Sequence, residues 1–287
     1  MKTALVTGGT DGIGRKIALG LVHAGHLVII VGRDSAKGAR VQEELQRTTC
    51  ASNVVFLAAD LSVIRESYRL ADEVNARWPK LNYLVHSAGI VRGRWHLTSE
   101  GIESNFATNY LNRFALTSLL LPNLKAAGRS GHCSRILFIS GAARHGTIHF
   151  QDVNLTSKFN MLRTVGQFCQ ANGVFAVELA RRLTNPGGGP IVTANCLKVG
   201  VVKTNIRREF PIWMRVLVPL LDPFLAMEPE EVAASALRLL ESGEYEGITG
   251  TLFSQVRRFK QIAVEAGVAG PDVSRRLWEL SVRLTTC

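Results

Sequence analysis

Residues 7–14 read Thr-Gly-Gly-Thr-Asp-Gly-Ile-Gly and join an apolar run to a helical pattern. The apolar run at residues 4–6 predicts a strand, and apolar residues at helical spacing from Ile17 predict a helix that ends at Gly25. A second apolar run, residues 27–31, predicts the next strand. A glycine-rich turn between a strand and a helix is typical of a site for the phosphates of a dinucleotide.

Each glycine of this turn has a physical task. We expect Gly8 to permit the tight exit from the strand, Gly12 to let the backbone approach a diphosphate, and Gly14 to let the helix pack close to the sheet. Thr7 and Ile13 complete the predicted contacts of the turn. The free N–H groups at the start of the helix favour an anionic ligand. The alternative is an ordinary glycine-rich turn without a ligand.

The composition fits one globular domain over residues 1–287. Hydrophobic residues make up 46% of the chain and charged residues 20%, which is enough apolar surface for a full core. The apolar runs are evenly spaced, and no linker rich in Pro or Ser interrupts them. The net charge of +11 comes from scattered basic residues, which favours solvated faces and an anionic cofactor over nucleic acid.

The cysteines indicate a reducing compartment. Their number, five, is odd, and none of them has the Cys-x-x-Cys spacing of a zinc site. We therefore expect neither disulfides nor a bound metal. Because the chain starts directly in a strand pattern and has no uncharged apolar run as long as a membrane span, we expect a cytoplasmic protein without a cleaved signal or a transmembrane segment.

The end of the second strand bears on the choice of cofactor. A site for NAD has a carboxylate here that holds the ribose 2′-hydroxyl, but this chain has Gly32 followed by Arg33. A guanidinium pairs well with the additional phosphate of NADP(H), so we predict NADP(H) as the cofactor. The alternative is an exposed arginine at the end of a strand.

Two later strand ends carry further candidates for cofactor contacts. Asp60 and Leu61 follow the third strand, where the carboxylate either accepts from an adenine amino group or caps the next helix. Ser87, Ala88 and Gly89 follow the fourth strand, and their small side chains leave space for a cofactor. We expect both strand ends to border the same site.

Strands and helices alternate along the whole chain. Strands are predicted at 4–6, 27–31, 54–58, 81–85, 135–139, 191–197 and near 250–253, and further helices at 37–47, 63–77, 99–124, 164–183, 230–240 and 274–284. This alternation predicts an α/β fold with a single Rossmann-type, doubly wound parallel sheet and helices on both faces. Ligands of such sheets bind at the carboxyl ends of the strands.

Residues 208–228 interrupt the alternation. They combine large apolar side chains, among them Trp213, Met214 and Phe224, with three prolines. We interpret them as an apolar lid or pocket wall over a small-molecule substrate. A peripheral membrane contact and a core helix are the alternatives.

These features resemble the short-chain dehydrogenase/reductase family along nearly the whole chain, and within it the retinol dehydrogenase-like and WW-domain-oxidoreductase-like members. The motifs that carry the resemblance are Thr7-Gly8…Gly12-Ile13-Gly14, Asp60, Ala88-Gly89, Asn109-Tyr110-Leu111, Phe175…Glu178-Leu179-Ala180-Arg181-Arg182-Leu183 and Arg275-Arg276-Leu277-Trp278. The resemblance implies hydride transfer between a nicotinamide and a carbonyl or alcohol. It also implies a Tyr that transfers the proton, a Lys four residues later that lowers the pKa of that Tyr and holds the ribose, and a Ser that orients the carbonyl.

The helix that should carry the Tyr and the Lys has neither. Alignment without a gap assigns Val165 to the Tyr position and Cys169 to the Lys position, and a register shifted by three residues gives Phe168 and Asn172. The Ser position is altered too, because Gly141 stands there. Of the four active-site positions that the resemblance implies, only Asn109 matches, and its amide serves either as a satisfied structural group or as a ligand for a functional water.

Two smaller departures flank the nicotinamide end of the implied site. Ser87 stands where the family prefers Asn, and Lys198-Val199-Gly200 replaces a His-Pro-Gly-like turn. Gly200 and Thr204 remain candidates for cofactor contacts. The dinucleotide end, by contrast, keeps the motifs of the family.

These observations lead to three hypotheses. The leading one is a non-redox enzyme of specialised metabolism, a cyclase or isomerase that acts on an apolar small molecule, with NADP(H) structural or absent. A general acid alone contributes roughly 10² to 10⁴ in rate, so the loss of the Tyr, the Ser and the Lys together argues against ordinary hydride transfer. The second is an NADPH-dependent carbonyl reductase or alcohol dehydrogenase that uses Lys198, Cys169, His145 or Lys158 as a substitute proton donor. The third is a regulatory protein that senses NADP(H). A homo-oligomer stays open in all three.

Overall fold

Eight strands form one sheet in the computed structural model, which describes residues 1–129, 131–143, 146–184, 189–206, 210, 222, 226–256, 258–262 and 270–286. The strands are β1 Thr3–Thr7, β2 Leu27–Gly32, β3 Val54–Ala58, β4 Tyr83–His86, β5 Ser134–Gly141, β6 Val192–Val199, β7 Leu252–Gln255 and β8 Phe259–Ile262. The helices are α1 Gly12–His23, α2 Ser35–Thr49, α3 Ile64–Arg77, α4 Ser104–Phe106, α5 Asn112–Ala127, α6 Met161–Leu183, α7 Pro229–Glu241 and α8 Pro271–Thr285. A π-helical turn, Ala107–Leu111, joins α4 to α5.

The order of the strands in the sheet is β3-β2-β1-β4-β5-β6-β7-β8, and all neighbouring pairs are parallel except β7 with β8. The chain leaves β1 toward one edge of the sheet and returns to β4 on the other side of β1. A crevice opens at the carboxyl ends of the strands where the direction reverses in this way. The predicted α/β fold with a doubly wound sheet is confirmed.

Apolar layers cover both faces of the sheet. In β1 the side chain of Leu5 packs into one layer, whereas Ala4 and Val6 pack into the other, and all three residues are fully buried. This alternation follows from the two-residue period of a strand. Because both faces are covered, the strands read as continuous apolar runs in the sequence.

The structure differs from the sequence-based predictions at three elements. The predicted helix over 99–124 begins only at Ser104 and contains the π-helical turn. Strand β6 extends through Val199, so Lys198 lies within the strand and not after it. The antiparallel edge strand β8 was not predicted, because its sequence Phe-Lys-Gln-Ile is short and half polar.

The predicted lid, residues 208–228, lies almost entirely outside the described residues. Only Phe210, Asp222 and residues 226–228 of that segment are described. Its assignment as a lid therefore stays a prediction.

Candidate functional site

The glycine-rich turn brings β1, α1 and the end of β4 into close contact. Gly8 has a φ of +68°, and a Cβ atom on it would lie 2.8 Å from the backbone of Ala88. A Cβ atom on Gly14 would lie 2.4 Å from the main-chain oxygen of Gly8. Side chains are therefore excluded at both positions, and the N-terminus of α1 points at the crevice beside β4.

A cleft of about 350 Å³ lies in this crevice. It is lined by Gly8, Thr10, Asp11, Gly12, Ile13, Val31, Gly32, Arg33, Asp34, Lys37, Ala59, Asp60, Leu61, Ser62, Ser87, Ala88, Gly89, Ile90, Arg92, Thr108, Thr204, Asn205 and Ile206. Among the thirteen predicted cofactor residues, Thr7, Gly14 and Gly200 do not line it. Thr7 lies behind the lining residues Ser87 and Ala88, and its hydroxyl accepts from their N–H groups, both at 3.2 Å.

The adenosine side of the cleft carries basic groups together with one carboxylate. Arg33 is exposed at the mouth, and Lys37 from the first turn of α2 donates to Asp11. Asp11 also accepts from the N–H of Gly12 at 2.8 Å and from the side chain of Asn205 at 3.0 Å. Burial alone would raise the pKa of Asp11, but the bonds from Lys37 and Asn205 outweigh it, so the pKa is lowered and the group is an anion.

Asp60 forms a local turn at the rim of the cleft. Its carboxylate accepts from the N–H of Ser62 at 3.0 Å, and the residue is exposed. Asp60 does not cap the next helix, because the first N–H groups of α3, those of Ile64 and Arg65, donate to the carboxylate of Glu100.

The glycine-rich turn, together with Arg33 and Lys37 in the lining of the cleft, suits the phosphates of a dinucleotide. When bound, such a cofactor supplies or accepts a hydride.

The opposite end of the cleft is shaped by two asparagines of the helix that contains the π-helical turn. Asn109 accepts from the N–H of Ile90 at 3.1 Å and donates to its carbonyl at 2.8 Å. One turn earlier, Asn105 accepts from the N–H of Arg92 at 2.6 Å. The side chain of Asn109 thus fixes the loop after β4, which agrees with the structural alternative for this amide.

Behind this loop lies Arg113, which is 3% exposed. It donates to the main-chain oxygens of Ala88 and Ile139, both at 2.8 Å, and to Oδ1 of Asn172 at 3.2 Å. Asn172 in turn donates to the main-chain oxygen of Asn109 at 3.0 Å. Burial lowers the pKa of Arg113 to about 10, so it remains a cation at neutral pH.

The positions that the resemblance assigns to Ser, Tyr and Lys lie outside the cleft. A Cβ atom on Gly141 would lie 3.0 Å from Sγ of Cys169, so these two positions are in contact. Val165, partly buried, packs against the core. Cys169 is 1% exposed, and burial raises the pKa of its thiol despite the nearby Ser140 and the charges of Arg113 and Lys198. A buried thiol of raised pKa is a poor proton shuttle.

The other proposed substitute donors are scattered. Lys198 is half-buried, and its Cε lies 3.7 Å from the Cβ position of Gly173, one turn of α6 beyond Cys169. Lys158 is exposed outside the cleft. His145 lies outside the described residues. Of the three candidates that the structure describes, Lys198 and Cys169 lie near each other and Lys158 does not.

All four tyrosines of the chain are described, and each has a structural partner away from the cleft. Tyr68 donates to the main-chain oxygen of Thr285 at 2.7 Å, and Tyr110 shares a hydrogen bond of 2.7 Å with Ser281. Lys2 donates to Tyr83 at the amino end of the sheet. Tyr245 packs edge-on against Phe253 and Phe259.

Several residues of the site carried no signal in the sequence. Lys37, Asn205 and Arg92 line the cleft, and Arg113 and Asn172 lie behind it. Their neighbours in the chain are ordinary helix or loop residues, and no local pattern distinguishes them. From the sequence, the spacing of four residues indicates only that Arg113 and Asn109 lie on the same face of a helix.

Within the described ranges, no cluster of His, Cys, Asp and Glu has the geometry to hold a metal ion. In the same part of the chain, no helix is both long enough and apolar enough to cross a membrane.

The parallel sheet, the glycine-rich turn and the crevice at its switch point define a dinucleotide-binding α/β protein. The chain belongs to the short chain dehydrogenase family, whose family model matches residues 2–214. It is similar to mouse retinol dehydrogenase 14, with 31% identity over 98% of this chain and 84% of the relative, and to human polyprenol dehydrogenase, with 29% identity over 99% and 85%. Among solved structures, the NADP complex of Pseudomonas aeruginosa RhlG matches with 25% identity and a TM-score of 0.70, over 88% of this chain and 94% of that one. The fold is thus one that binds nicotinamide cofactors.

Proposed function

We propose that this protein binds NADP(H) in the cleft and rearranges an apolar small molecule, by cyclisation or isomerisation, without net oxidation or reduction. The observation that carries the proposal is the environment of Val165 and Cys169. The first is partly buried and packs against the core, the second is a buried thiol, and all four tyrosines have hydrogen bonds or ring contacts elsewhere. Ordinary carbonyl reduction needs a proton donor at the reacting oxygen, and its loss costs roughly 10² to 10⁴ in rate.

NADP(H) is the cofactor that the donor groups of the cleft favour. Arg33 and Lys37 offer two cations on the side where the second strand ends, and Gly12 with the N-terminus of α1 offers backbone N–H groups. Retinol and polyprenol, which the names of the relatives mention, are long apolar alcohols. An apolar substrate for this chain agrees with those names and with the apolar composition of residues 208–228.

A shaped pocket can catalyse a unimolecular rearrangement with few polar groups. It restricts the substrate to a reactive conformer, which lowers the entropic part of the activation free energy without a catalytic acid or base. A bound nicotinamide ring would then contribute one wall of the pocket. Such a role explains why the cofactor cleft is kept while the relay positions are not.

One experiment separates this proposal from ordinary reduction. Purified protein is titrated with NADPH by fluorescence and then incubated with NADPH and retinaldehyde, while the loss of NADPH and the isomer composition are followed together. We expect saturable binding and no loss of NADPH above the buffer rate. Robust NADPH oxidation would contradict the proposal, and a mouse retinol dehydrogenase 14 sample serves as the positive control.

A second candidate keeps oxidoreduction and assigns the proton to Lys198. The observation that favours it is the position of the Lys198 side chain, whose Cε lies 3.7 Å from the Cβ position of Gly173, so that a cation on β6 lies near Cys169 of α6. Under this candidate NADPH is oxidised with retinaldehyde, and Lys198→Met abolishes the reaction while leaving the affinity for NADPH within about twofold. Activity that survives Lys198→Met excludes Lys198 as the donor.

A further inference from the structure

Arg113 is a buried cation without an acidic partner among the described residues. Its guanidinium is held by two main-chain oxygens and one amide oxygen, and no Asp or Glu of the described ranges forms an ion pair with it. Its Nε atom is buried and has no acceptor in this part of the chain. A charge buried in this way is screened less than a charge at the surface, because little water surrounds it.

Arg113 lies directly behind one end of the cleft. Ala88, whose carbonyl it binds, and Gly89 both line the cleft, and Nη2 of Arg113 lies 3.9 Å from the Cβ position of Gly89. A dinucleotide in a doubly wound sheet crosses the switch point, with its adenosine half over β2 and β3 and its other half over β4 and β5. Arg113 contacts the ends of β4 and β5, so it lies on the nicotinamide side.

Other groups near Arg113 do not cancel its charge. The thiols of Cys169 and Cys196 are buried, which raises their pKa values and keeps them neutral. Burial lowers the pKa of His86 far enough that its ring is neutral as well. Glu103 lies ten residues earlier in the chain and forms no ion pair with Arg113, since its carboxylate accepts from the N–H groups of Asn105 and Phe106 and from the hydroxyl of Thr164.

We propose that the fixed charge of Arg113 makes the cleft select the reduced cofactor, NADPH, over NADP⁺. The nicotinamide ring carries a positive charge in NADP⁺ and none in NADPH, so only the oxidised form is repelled by Arg113. At an effective dielectric constant near 20, two unit charges closer than roughly 12 Å repel each other enough to change an affinity by about tenfold or more. The inference rests on the proposed NADP(H) site and deepens it: the protein in its working state holds NADPH and responds to the NADPH/NADP⁺ ratio.

The first test uses the unmodified protein and three ligands: NADPH, NADP⁺ and 2′-phospho-ADP-ribose, which lacks the nicotinamide ring. Dissociation constants are measured by calorimetry near neutral pH. We expect NADPH to bind about tenfold more tightly than NADP⁺, and NADP⁺ to bind no more tightly than 2′-phospho-ADP-ribose. Equal affinities for NADPH and NADP⁺ overturn the inference and leave the cofactor site intact, whereas failure of all three ligands to bind overturns the proposed NADP(H) site itself.

The second test assigns the effect to Arg113. In Arg113→Gln the ratio of the two dissociation constants should fall to about twofold or less, and in Arg113→Lys, which keeps a charge, most of the ratio should remain. Arg94→Gln removes a charge from an exposed residue that does not line the cleft and should leave the ratio unchanged. A ratio that persists in Arg113→Gln overturns the assignment, and if that variant does not fold, Arg113→Met, which is similar in length and uncharged, replaces it under the same criterion.

Discussion

Sγ of Cys169 occupies the space beside Gly141: a Cβ atom on that glycine would lie 3.0 Å from the sulfur. Gly141→Ala should therefore destabilise the protein by about 1 kcal/mol, because the thiol must move within a packed core. The cost should be smaller by at least about 0.5 kcal/mol in a Cys169→Ala background, since that change removes the sulfur. Urea unfolding of the two single variants and the double variant measures this coupling.

Gly173→Ala is the matched control for this cycle. The nearest atoms to its Cβ position are 3.7 Å or more away, and the residue lies inside α6. Alanine should stabilise the helix there by about 0.5 to 1 kcal/mol. Additive effects of Gly141→Ala and Cys169→Ala would show that the two positions do not compete for space.

We expect the carboxylate of Asp11 to limit the affinity of the cleft for a cofactor with a 2′-phosphate. Asp11 lines the cleft, and its carboxylate accepts a hydrogen bond from the ammonium group of Lys37. Asp11→Asn removes the negative charge but keeps an acceptor for the N–H of Gly12, so the dissociation constant for NADPH should fall by about three- to tenfold. Fluorescence titration measures it, and the constant for NADH, which has no 2′-phosphate, should stay within about twofold.

A charge-matched control excludes a general effect of net charge. Glu44→Gln removes a carboxylate that pairs with Arg15 and does not line the cleft. It should leave the affinity for NADPH unchanged. Weaker NADPH binding by Asp11→Asn would contradict the assignment and would indicate that Asp11 positions Lys37 for the phosphate.

Local patterns in the sequence predicted the sheet and the glycine-rich turn. The turn was predictable because Gly8, Gly12 and Gly14 act on their immediate neighbours in the chain, and the strands because their apolar runs are buried on both faces. The strand β8 was missed because an edge strand of four residues has no such run. Its pairing depends on β7 and not on its own composition.

The network around Arg113 could not be predicted from local patterns. Arg113 is separated from Ala88 by 25 positions and from Asn172 by 59, and the bonds exist only because the fold brings three elements together. The pairing of Lys37 with Asp11 is similar, with 26 positions between them. Residues that act on their neighbours in the chain can be recognised from the sequence. Polar contacts between residues that are distant in the chain can be recognised only once the three-dimensional structure is known.

Tyr110 is the tyrosine next to Asn109 in the sequence, so it is the natural test for a relocated proton donor. Its hydroxyl is buried against Ser281 of α8, and burial raises its pKa. Tyr110→Phe should cost about 1 kcal/mol of stability through the lost hydrogen bond and leave NADPH affinity and any turnover unchanged. Thermal unfolding and a titration with NADPH measure both. Loss of turnover at unchanged affinity would instead assign the proton to Tyr110.

Glu246 should make the stability of the protein sensitive to acid. Burial, the largest single influence, raises its pKa, but the bonds from Cys133 and from the guanidinium of Arg135 at 2.6 Å outweigh it and lower the pKa to about 2. A group whose pKa is depressed in the folded state stabilises that state above its unfolded pKa of about 4.3, and this contribution disappears as the pH falls toward the folded value. After allowance for partial solvent screening, we expect about 1 kcal/mol at neutral pH.

Urea unfolding between about pH 6 and about pH 3 tests this expectation on the wild type and on Glu246→Gln. Near pH 6 the wild type should be more stable than Glu246→Gln by about 1 kcal/mol. This difference in the free energy of unfolding should shrink as the pH falls, because protonation makes the side chain of Glu246 neutral like that of the variant. Glu244→Gln is the control, since Glu244 forms an exposed pair with Arg238 and such pairs contribute little. If the wild type and Glu246→Gln lose stability in parallel over this range, the acid sensitivity belongs to other carboxylates and the contact with Arg135 is electrostatically neutral.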